Sequence, residues 1–416
     1  MRILLVTQYF WPEEFRINDL AAGLQERGHE VVVLTGIPNY PGGEFYPGYS
    51  LFNPPRQAHL GIQIIRVPLV PRGKATGFRL ALNYISYFVL ASLLGPFLCH
   101  GDYDLIFVYQ LSPVTVGIPA ILLKWLKGAP LLFWVQDLWP ASLCATGAVT
   151  SKWVLEAVRH IVRAIYSQCD RILIQSPSFS PMIISTGGDA TRIRYYPNSV
   201  EQTYRPMTTE SDLAQRLELP HGFIVMFAGN IGAAQSFETI LSAAALLKEN
   251  QNIHWVILGD GRMRPWVEAQ IADRGLGSSV HLLGRHPVDA MPRFFAHADV
   301  MLITLKRDPI FSWTIPSKIQ SYMACARPLV AAVDGEGMRL IEESGCGMAC
   351  PAEDAHGLAA AILDMHGKPK EERERMGKKG EEYCKLHFER EKLLTKLEVL
   401  MSEVTRKNTR PGATLL

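Results

Sequence analysis

The sequence lacks the marks of several common protein classes. Its seven cysteines, Cys99, Cys144, Cys169, Cys325, Cys346, Cys350 and Cys384, form no C-x-x-C pair. Cys346 and Cys350 are close in sequence, but no histidine stands near enough to complete a zinc site. Their scatter and odd number read as buried free thiols in a reducing compartment. Net charge is almost absent too. The 42 Lys and Arg against 40 Asp and Glu leave +2 at pH 7, which gives no footprint for bulk nucleic-acid binding. The opening "MRILLVTQYFWP" has too short an apolar run for a signal peptide and reads as a first strand. No short internal repeat is visible. No complete G-x-G-x-x-G follows a candidate first strand, which counts against a nicotinamide dehydrogenase.

What is present is an ordinary globular composition, 48% hydrophobic and 20% charged, over 416 residues. A chain of that length exceeds the size at which one core stops growing, so two domains are expected. Strand-like apolar runs alternate with helical patterns throughout. "RILLVTQ" (2–8), a helix at 15–28 and "HEVVVLTG" (29–36) make one βαβ unit, with Gly28 placed as a helix C-cap. Further strands are expected at 62–68, 103–109, 130–137 and 170–176. A second series runs through strands at 223–232, 253–261, 280–285, 299–305 and 328–334, with helices between them. The alternation predicts α/β architecture with parallel sheets. The join is expected near "YYPNSVEQTYRP" (195–206), which carries two prolines and an Asn-Ser turn signal. The segment 369–404 reads as charged and helical, and the last residues as a disordered tail.

One segment stands apart. "LALNYISYFVLASLLGPFLC" (80–99) is long and apolar enough to span a bilayer. Asn83, Ser86, Ser92 and Pro96 weaken that reading. A buried core helix, a helix lying in the membrane interface and a true span all remain open. Arg66, Arg72, Lys74 and Arg79 precede or open it, and Tyr84 and Tyr87 suit an interface.

Ligands of open parallel sheets bind at the carboxyl ends of the strands, and two such domains direct attention to a cleft between them. In the first half Asp137 follows the strand at 130–137, flanked by two tryptophans; it could touch a ligand hydroxyl, orient a base or cap the next helix. In the second half "FAGNIG" supplies Gly229 and Gly232 at a strand end, where bare backbone can approach a phosphate. "ILGDGRMR" adds Gly259, Asp260, Arg262 and Arg264. "DGEG" adds Gly335 and Gly337, whose amides could cradle an anion. Lys318 opens the helix of "PSKIQSYMA" and can offer a point charge. Each motif alone is bland. Together they suggest a nucleotide diphosphate held by the second domain.

On "RGHEVVVLTG", "YPNSVEQTYRP", "FAGNIG", "ILGDGRMR", "VHLLGR", "MACARPLVAA" and "ESGCG", the chain resembles the retaining glycosyltransferases of family four, over nearly its whole length. "GIPNYPGGEFYPGY" and "VQDLWPASL" further resemble a branch that builds bacterial surface polysaccharide, including transferases of N-acetyl-fucosamine-type sugars. The resemblance implies a GT-B fold: two Rossmann-like, doubly wound parallel-sheet domains facing a cleft. The expected bounds are an acceptor-binding domain at 1–200, a nucleotide-sugar domain at 201–385, and a crossover helix with tail at 386–416 that packs back on the first domain. It implies a UDP- or GDP-sugar donor, no metal or other cofactor, and retention of anomeric configuration. With the basic approach and apolar segment, it implies a lipid-linked or glycan acceptor and a cytoplasmic protein peripheral on the inner membrane, with no nucleic-acid partner.

By the same resemblance the catalytic candidates are Asp137, Lys318 and Glu336. The donor wall is expected from Gly229, Asn230, Gly232, Gln235, Gly259, Asp260, Arg262, Arg285, Ser317, Ser321, Gly335 and Gly337. The pattern departs from the family at several of these places. The family's Glu-x7-Glu reads Ser321 at its second position and Ser312 or Trp313 near its first. Asn230 and Gln235 stand where many members carry arginine and lysine on the pyrophosphate. Gln136 replaces a frequent histidine, and Ser199 a glycine. Lys318, Arg262, Arg285 or Lys306 could restore the charge, and Glu336 the carboxylate. Two other classes stay in view. A GT-B-fold sugar-nucleotide epimerase would need an acid/base set that is not found here, and a non-catalytic sugar-nucleotide-binding subunit would explain the missing acids.

Overall fold

The computed structural model describes residues 1–52, 56–74, 77–145, 149–216 and 219–408. The chain divides into two compact units, Met1–Pro197 with Leu393–Leu416, and Asn198–Lys392. The tail expected at the end of the chain falls at residues 409–416, outside the described residues.

The first unit is built on eight strands: β1 (Arg2–Val6), β2 (Glu30–Gly36), β3 (Arg56–His59), β4 (Ile62–Val67), β5 (Leu105–Gln110), β6 (Leu131–Val135), β7 (Arg171–Ile174) and β8 (Ile193–Tyr195). They lie in the order β3-β4-β2-β1-β5-β6-β7-β8. All pairs are parallel except β3 with β4. The strand order reverses at β1, so the crevice beyond β1 and β5 is the topological switch point. Both faces of the sheet are covered, which is why β1, β2 and β5 read as continuous apolar runs. Ile3, Leu5, Val31, Val33 and Trp134 form a core with the helices Arg16–Glu26 and Arg390–Asn408. On the other face Gly95 of the helix Gly77–Leu98 lies against Leu34 and Leu123.

The second unit holds β9 (Phe223–Ala228), β10 (Ile253–Leu258), β11 (Val280–Gly284), β12 (Val300–Thr304), β13 (Leu329–Ala332) and β14 (Gly347–Cys350). Their order is β11-β10-β9-β12-β13-β14, all parallel, with the switch point between β9 and β12. Alternate residues feed two cores. Val225, Phe227, Trp255 and Ile257 face one way, and Met226, Ala228, Val256 and Leu258 the other. Two Rossmann-like parallel-sheet units, with a C-terminal helix returned to the first, are the GT-B architecture that the sequence resembles.

Several details differ from the sequence reading. The strands β3, β8 and β14 were not anticipated, because "RQAH", "IRY" and "GMAC" are short and lack an apolar run. The charged segment 369–404 is two helices, Lys370–His387 and Arg390–Asn408, broken at Phe388. The second buries Leu393, Leu397, Leu400 and Met401 in the first core and is tied there by Arg27–Glu398 at 2.7 Å. Six cysteines are buried and free, but Cys144 is exposed, against the expectation for all seven.

The apolar segment forms the helix Gly77–Leu98, and only one stripe of it is buried: Asn83, Tyr87, Ala91 and Gly95, at a spacing of four. That stripe is pinned to the sheet. The Tyr87 hydroxyl donates to the Thr7 carbonyl at 2.9 Å, and the Asn83 amide to the Val70 carbonyl at 2.7 Å. Phe78, Ile85, Val89, Leu93 and Phe97 are exposed. A fully buried core helix is excluded by the exposed stripe. Spanning a bilayer would require tearing the pinned stripe from β1 and β2.

Candidate active site

In the second unit several of the candidate residues gather where β9 and β12 part. The turn after β9 reaches Gln235, whose carbonyl accepts the Thr304 hydroxyl at 2.5 Å, while Lys306 N–H donates to the Ala234 carbonyl at 2.9 Å. These bonds close the two loops of the switch point against each other. Into this corner comes Lys318, from the first turn of the helix Ser317–Ala324. Its Nζ donates to Gln235 Oε1 at 2.5 Å and stands 3.8 Å from the centre of the Phe227 ring. Burial alone pulls the ammonium down to about 7 from its ordinary 10.5. No carboxylate pairs with it among the described residues. An ammonium has three donors, so it retains capacity for an anion.

The glycines prove to be sites of interlocking loops. Gly229 is at φ +143°, and a Cβ there would stand 2.6 Å from Lys318 Cε. The missing side chain therefore makes room for the lysine. A Cβ on Gly259, at φ +138°, would meet the Gly229 carbonyl oxygen at 1.9 Å. One on Gly335 would meet the Ser312 carbonyl at 2.1 Å, and one on Gly232 the Asn230 side chain at 2.5 Å. Gly337 packs against Val333 and Pro316. At Gly259 and Gly335 the loops are thus drawn together by backbone contacts that any side chain would block.

The remaining second-unit candidates divide. Arg262 and Arg285 are exposed and make no ion pair among the described residues. Arg264 is held by Glu268 at 2.8 Å. Asp260 accepts the Gly261 amide at 2.7 Å. Ser317 is exposed, while Ser321 is buried and its hydroxyl donates back to the Ser317 carbonyl at 3.4 Å. Glu336 is buried on the first turn of the helix Glu336–Ser344 and ion-paired to Arg339 at 2.8 Å. A carboxylate already engaged by an arginine is a weaker candidate for a ligand hydroxyl than a free one.

Asp137 belongs to the first unit. It accepts hydrogen bonds from the Ser112 hydroxyl and, at 3.2 Å, from Trp139 Nε1. Around it lies a group of which the sequence reading named the flanking tryptophans, and Tyr84 and Arg72 only for a membrane interface. Tyr84 packs edge-on against Trp139 at 6.4 Å, and Tyr9, Phe15 and Tyr40 form a cluster with centroids 5.2–5.8 Å apart. Arg72 lies 4.9 Å over Tyr40 and donates to the Tyr9 hydroxyl at 3.1 Å. Beneath them Glu13 is buried; one carboxylate oxygen accepts the Asn39 and Tyr40 amides at 2.8 Å and the other the Phe10 amide at 3.3 Å. Burial pushes its carboxyl up to about 7 against those amides. The density of Tyr, Phe and Trp in "QYFWPEEF" and "IPNYPGGEFYPGY" was the available signal. Among the described residues no group of three or more His, Cys, Asp and Glu could hold a metal ion.

Two family descriptions match the chain. "Glycosyl transferase 4-like domain" covers residues 14–199, and "Glycosyl transferases group 1" covers residues 222–367. The chain is 26% identical to WbjE of Pseudomonas aeruginosa, named as a glycosyltransferase, over 58% of its own length and 60% of that protein. It is 25% identical over 78% of its length, and 81% of the other, to WcaI of Escherichia coli, named for a glycosyl transferase of colanic acid biosynthesis. Among solved structures, HepE of Anabaena in complex with UDP superposes with a TM-score of 0.71 at 17% identity, covering 97% of this chain and 100% of that one. At that identity the likeness speaks for the fold.

Proposed function

The chain belongs to the glycosyltransferases of the GT-B class, related to family-four enzymes such as WbjE and WcaI, and from that premise we propose that it moves a sugar from a UDP- or GDP-sugar to a lipid-linked glycan in surface-polysaccharide synthesis, with retention. The observation that carries this reading is Lys318, a cation without a carboxylate partner among the described residues, held under the Gly-rich end of β9 beside the switch point. As the sugar–oxygen bond breaks, charge develops on the departing diphosphate. A fixed ammonium in a half-buried corner stabilises that charge more than it stabilises the intact donor, and so lowers the barrier. Arg262 and Arg285 are further cations free to meet phosphate oxygens. Ser321, in place of an acid, leaves any ribose hydroxyl without a charge-assisted bond.

In this reading the first unit holds the acceptor, with Asp137 and its aromatic neighbours against the acceptor sugar. The exposed stripe of the helix Gly77–Leu98, with Lys74 and Arg79 at its start, supports a peripheral position on the inner face of the cytoplasmic membrane. The test is incubation of the purified protein with a panel of UDP- and GDP-sugars and a polyprenyl-diphosphate-linked sugar, following nucleotide release and product mass. Transfer of one sugar is expected. Nucleotide binding without turnover across the panel would instead favour the sugar-nucleotide-binding subunit, a reading that the engaged Glu336 and the acid-free Ser321 keep open.

A further inference from the structure

Three cations of the first unit have no acidic partner among the described residues. Arg72, Lys74 and Arg79 make no ion pair among the described residues, although the unit pairs many of its other cations: Arg2 with Glu30, Arg27 with Glu398, Lys124 with Asp170 and Arg171 with Glu403. Arg72 and Lys74 flank Gly73, and Arg79 Nε approaches to 3.7 Å of where a Gly73 Cβ would stand. Arg72 is also held in one place. Its backbone N–H donates to Asn39 Oδ1 at 3.2 Å, its Nη1 donates to the Tyr9 hydroxyl at 3.1 Å, and its guanidinium lies 4.9 Å over Tyr40. The buried carboxylate of Glu13 is engaged by three backbone amides and forms no ion pair with Arg72 among the described residues. A guanidinium fixed on two aromatic rings has lost little by being ordered, and it keeps a planar fork of donors suited to phosphate.

The surroundings suit the rest of an amphiphile. Tyr84, which interacts electrostatically with Arg72, also forms the edge-on pair with Trp139. Trp139 and Asp137 share a hydrogen bond at 3.2 Å. An aromatic wall with one adjacent carboxylate receives the C–H face and a hydroxyl of a pyranose. Tyr84 and Asn83 are on the same helix whose outward stripe begins at Phe78, immediately before Arg79.

We propose that Arg72, with Lys74 and Arg79, binds the phosphate that joins the acceptor's saccharide to its lipid, while Tyr84, Trp139 and Asp137 hold the saccharide. This rests on the acceptor reading above and names the ligand class of that site: a saccharide joined to its lipid through phosphate, as a phosphodiester or a diphosphate. The arrangement places the polar head at the start of the exposed helix, so the chain of the acceptor stays in the apolar layer that the helix touches.

The test uses the full chain and two soluble probes below their micellar concentrations, an octyl glucosyl phosphodiester and uncharged octyl glucoside, titrated calorimetrically. The wild type is expected to bind the phosphodiester about tenfold or more tightly, as a charge-assisted contact requires. Arg72→Gln is expected to erase that preference, and Arg72→Lys to keep part of it with an unchanged Tm. Equal affinity for the two probes, or a preference that survives Arg72→Gln, overturns the proposal. Displacement of the phosphodiester by inorganic phosphate at equal concentration would overturn the saccharide part. UDP titrated into the same samples separates the two readings. Loss of UDP binding in the wild type counts against the donor site, whereas UDP binding without the phosphodiester preference counts against this inference alone.

Discussion

The affinity of the protein for UDP should fall steeply with pH, through Lys318. Burial brings this ammonium down to about 7, and among the described residues its hydrogen-bond partner is the neutral Gln235 amide. Above pH 7 most molecules therefore carry a neutral lysine. A diphosphate bound beside it favours the charged form, so binding takes up a proton. If only the protonated form binds, the apparent dissociation constant rises as the inverse of the protonated fraction. That fraction is roughly a quarter at pH 7.5 and roughly 3% at pH 8.5, so the UDP Kd should rise about eightfold between them. The diphosphate itself is largely ionised across that interval. Calorimetry at both values, repeated in buffers of different ionisation enthalpy, reads the affinity and the proton uptake together. Lys318→Met should bind weakly at both values, without proton uptake. A wild-type Kd constant across the interval, with no proton taken up, would refute the reasoning.

Other expectations follow from the same geometry. Gly229→Ala sets a side chain at φ +143° and within 2.6 Å of Lys318 Cε, which should lower stability by about 1–3 kcal/mol and raise the UDP Kd; an unchanged melt and Kd would show that the turn relaxes freely. Glu13→Gln tests the buried carboxyl. Its folded value, about 7, lies above the ordinary 4.5, so the wild type loses stability as pH rises through that interval. The Tm difference should therefore move in favour of the variant between pH 5.5 and 8.5, and movement the other way would mean that the three amides outweigh burial. Met401→Ala empties a fully buried position in the first core and should cost about 2–5 kcal/mol in a denaturant melt. Replacing Ile85, Leu93 and Phe97 together by Ser should weaken sedimentation with anionic vesicles while leaving the Tm within a few degrees; unchanged sedimentation would remove the helix from the membrane reading.

The fold was legible because its determinants are local and repeated. Runs such as "RILLV", "LIFVYQ" and "FIVMFA" announce strands buried on both faces, and their alternation with helical patterns permits few topologies. What stayed hidden was set by neighbours. "IRY" and "GMAC" become strands only because β7 and β13 offer free edges. The Gly77–Leu98 segment could not be assigned from hydropathy, since Ile85 and Tyr87 differ in the structure by which side the sheet lies on. At the site, the strand-end glycines and Lys318 were visible in the sequence. Their relation was not, because Gln235 and Lys318 stand 83 positions apart and are brought together only by the folded sheet.

That relation changes what the glycines are for. A Gly-rich strand end is ordinarily read as bare backbone offered to a phosphate. Here the space at Gly229 is filled by Lys318, and the space at Gly259 by the Gly229 carbonyl. The turn has no cation of its own, since Asn230 and Gln235 are neutral. A charge carried from another helix can reach it only if position 229 has no side chain, and the β9 and β10 loops can meet only if 259 has none. The glycines and the lysine are therefore one requirement. A residue with a Cβ at 229 would remove the charge from the corner even with Lys318 intact, and Lys318→Met would remove that charge while its own Cε still fills the space at Gly229. The two substitutions should consequently be less than additive in their effect on UDP binding, because each removes the same contact.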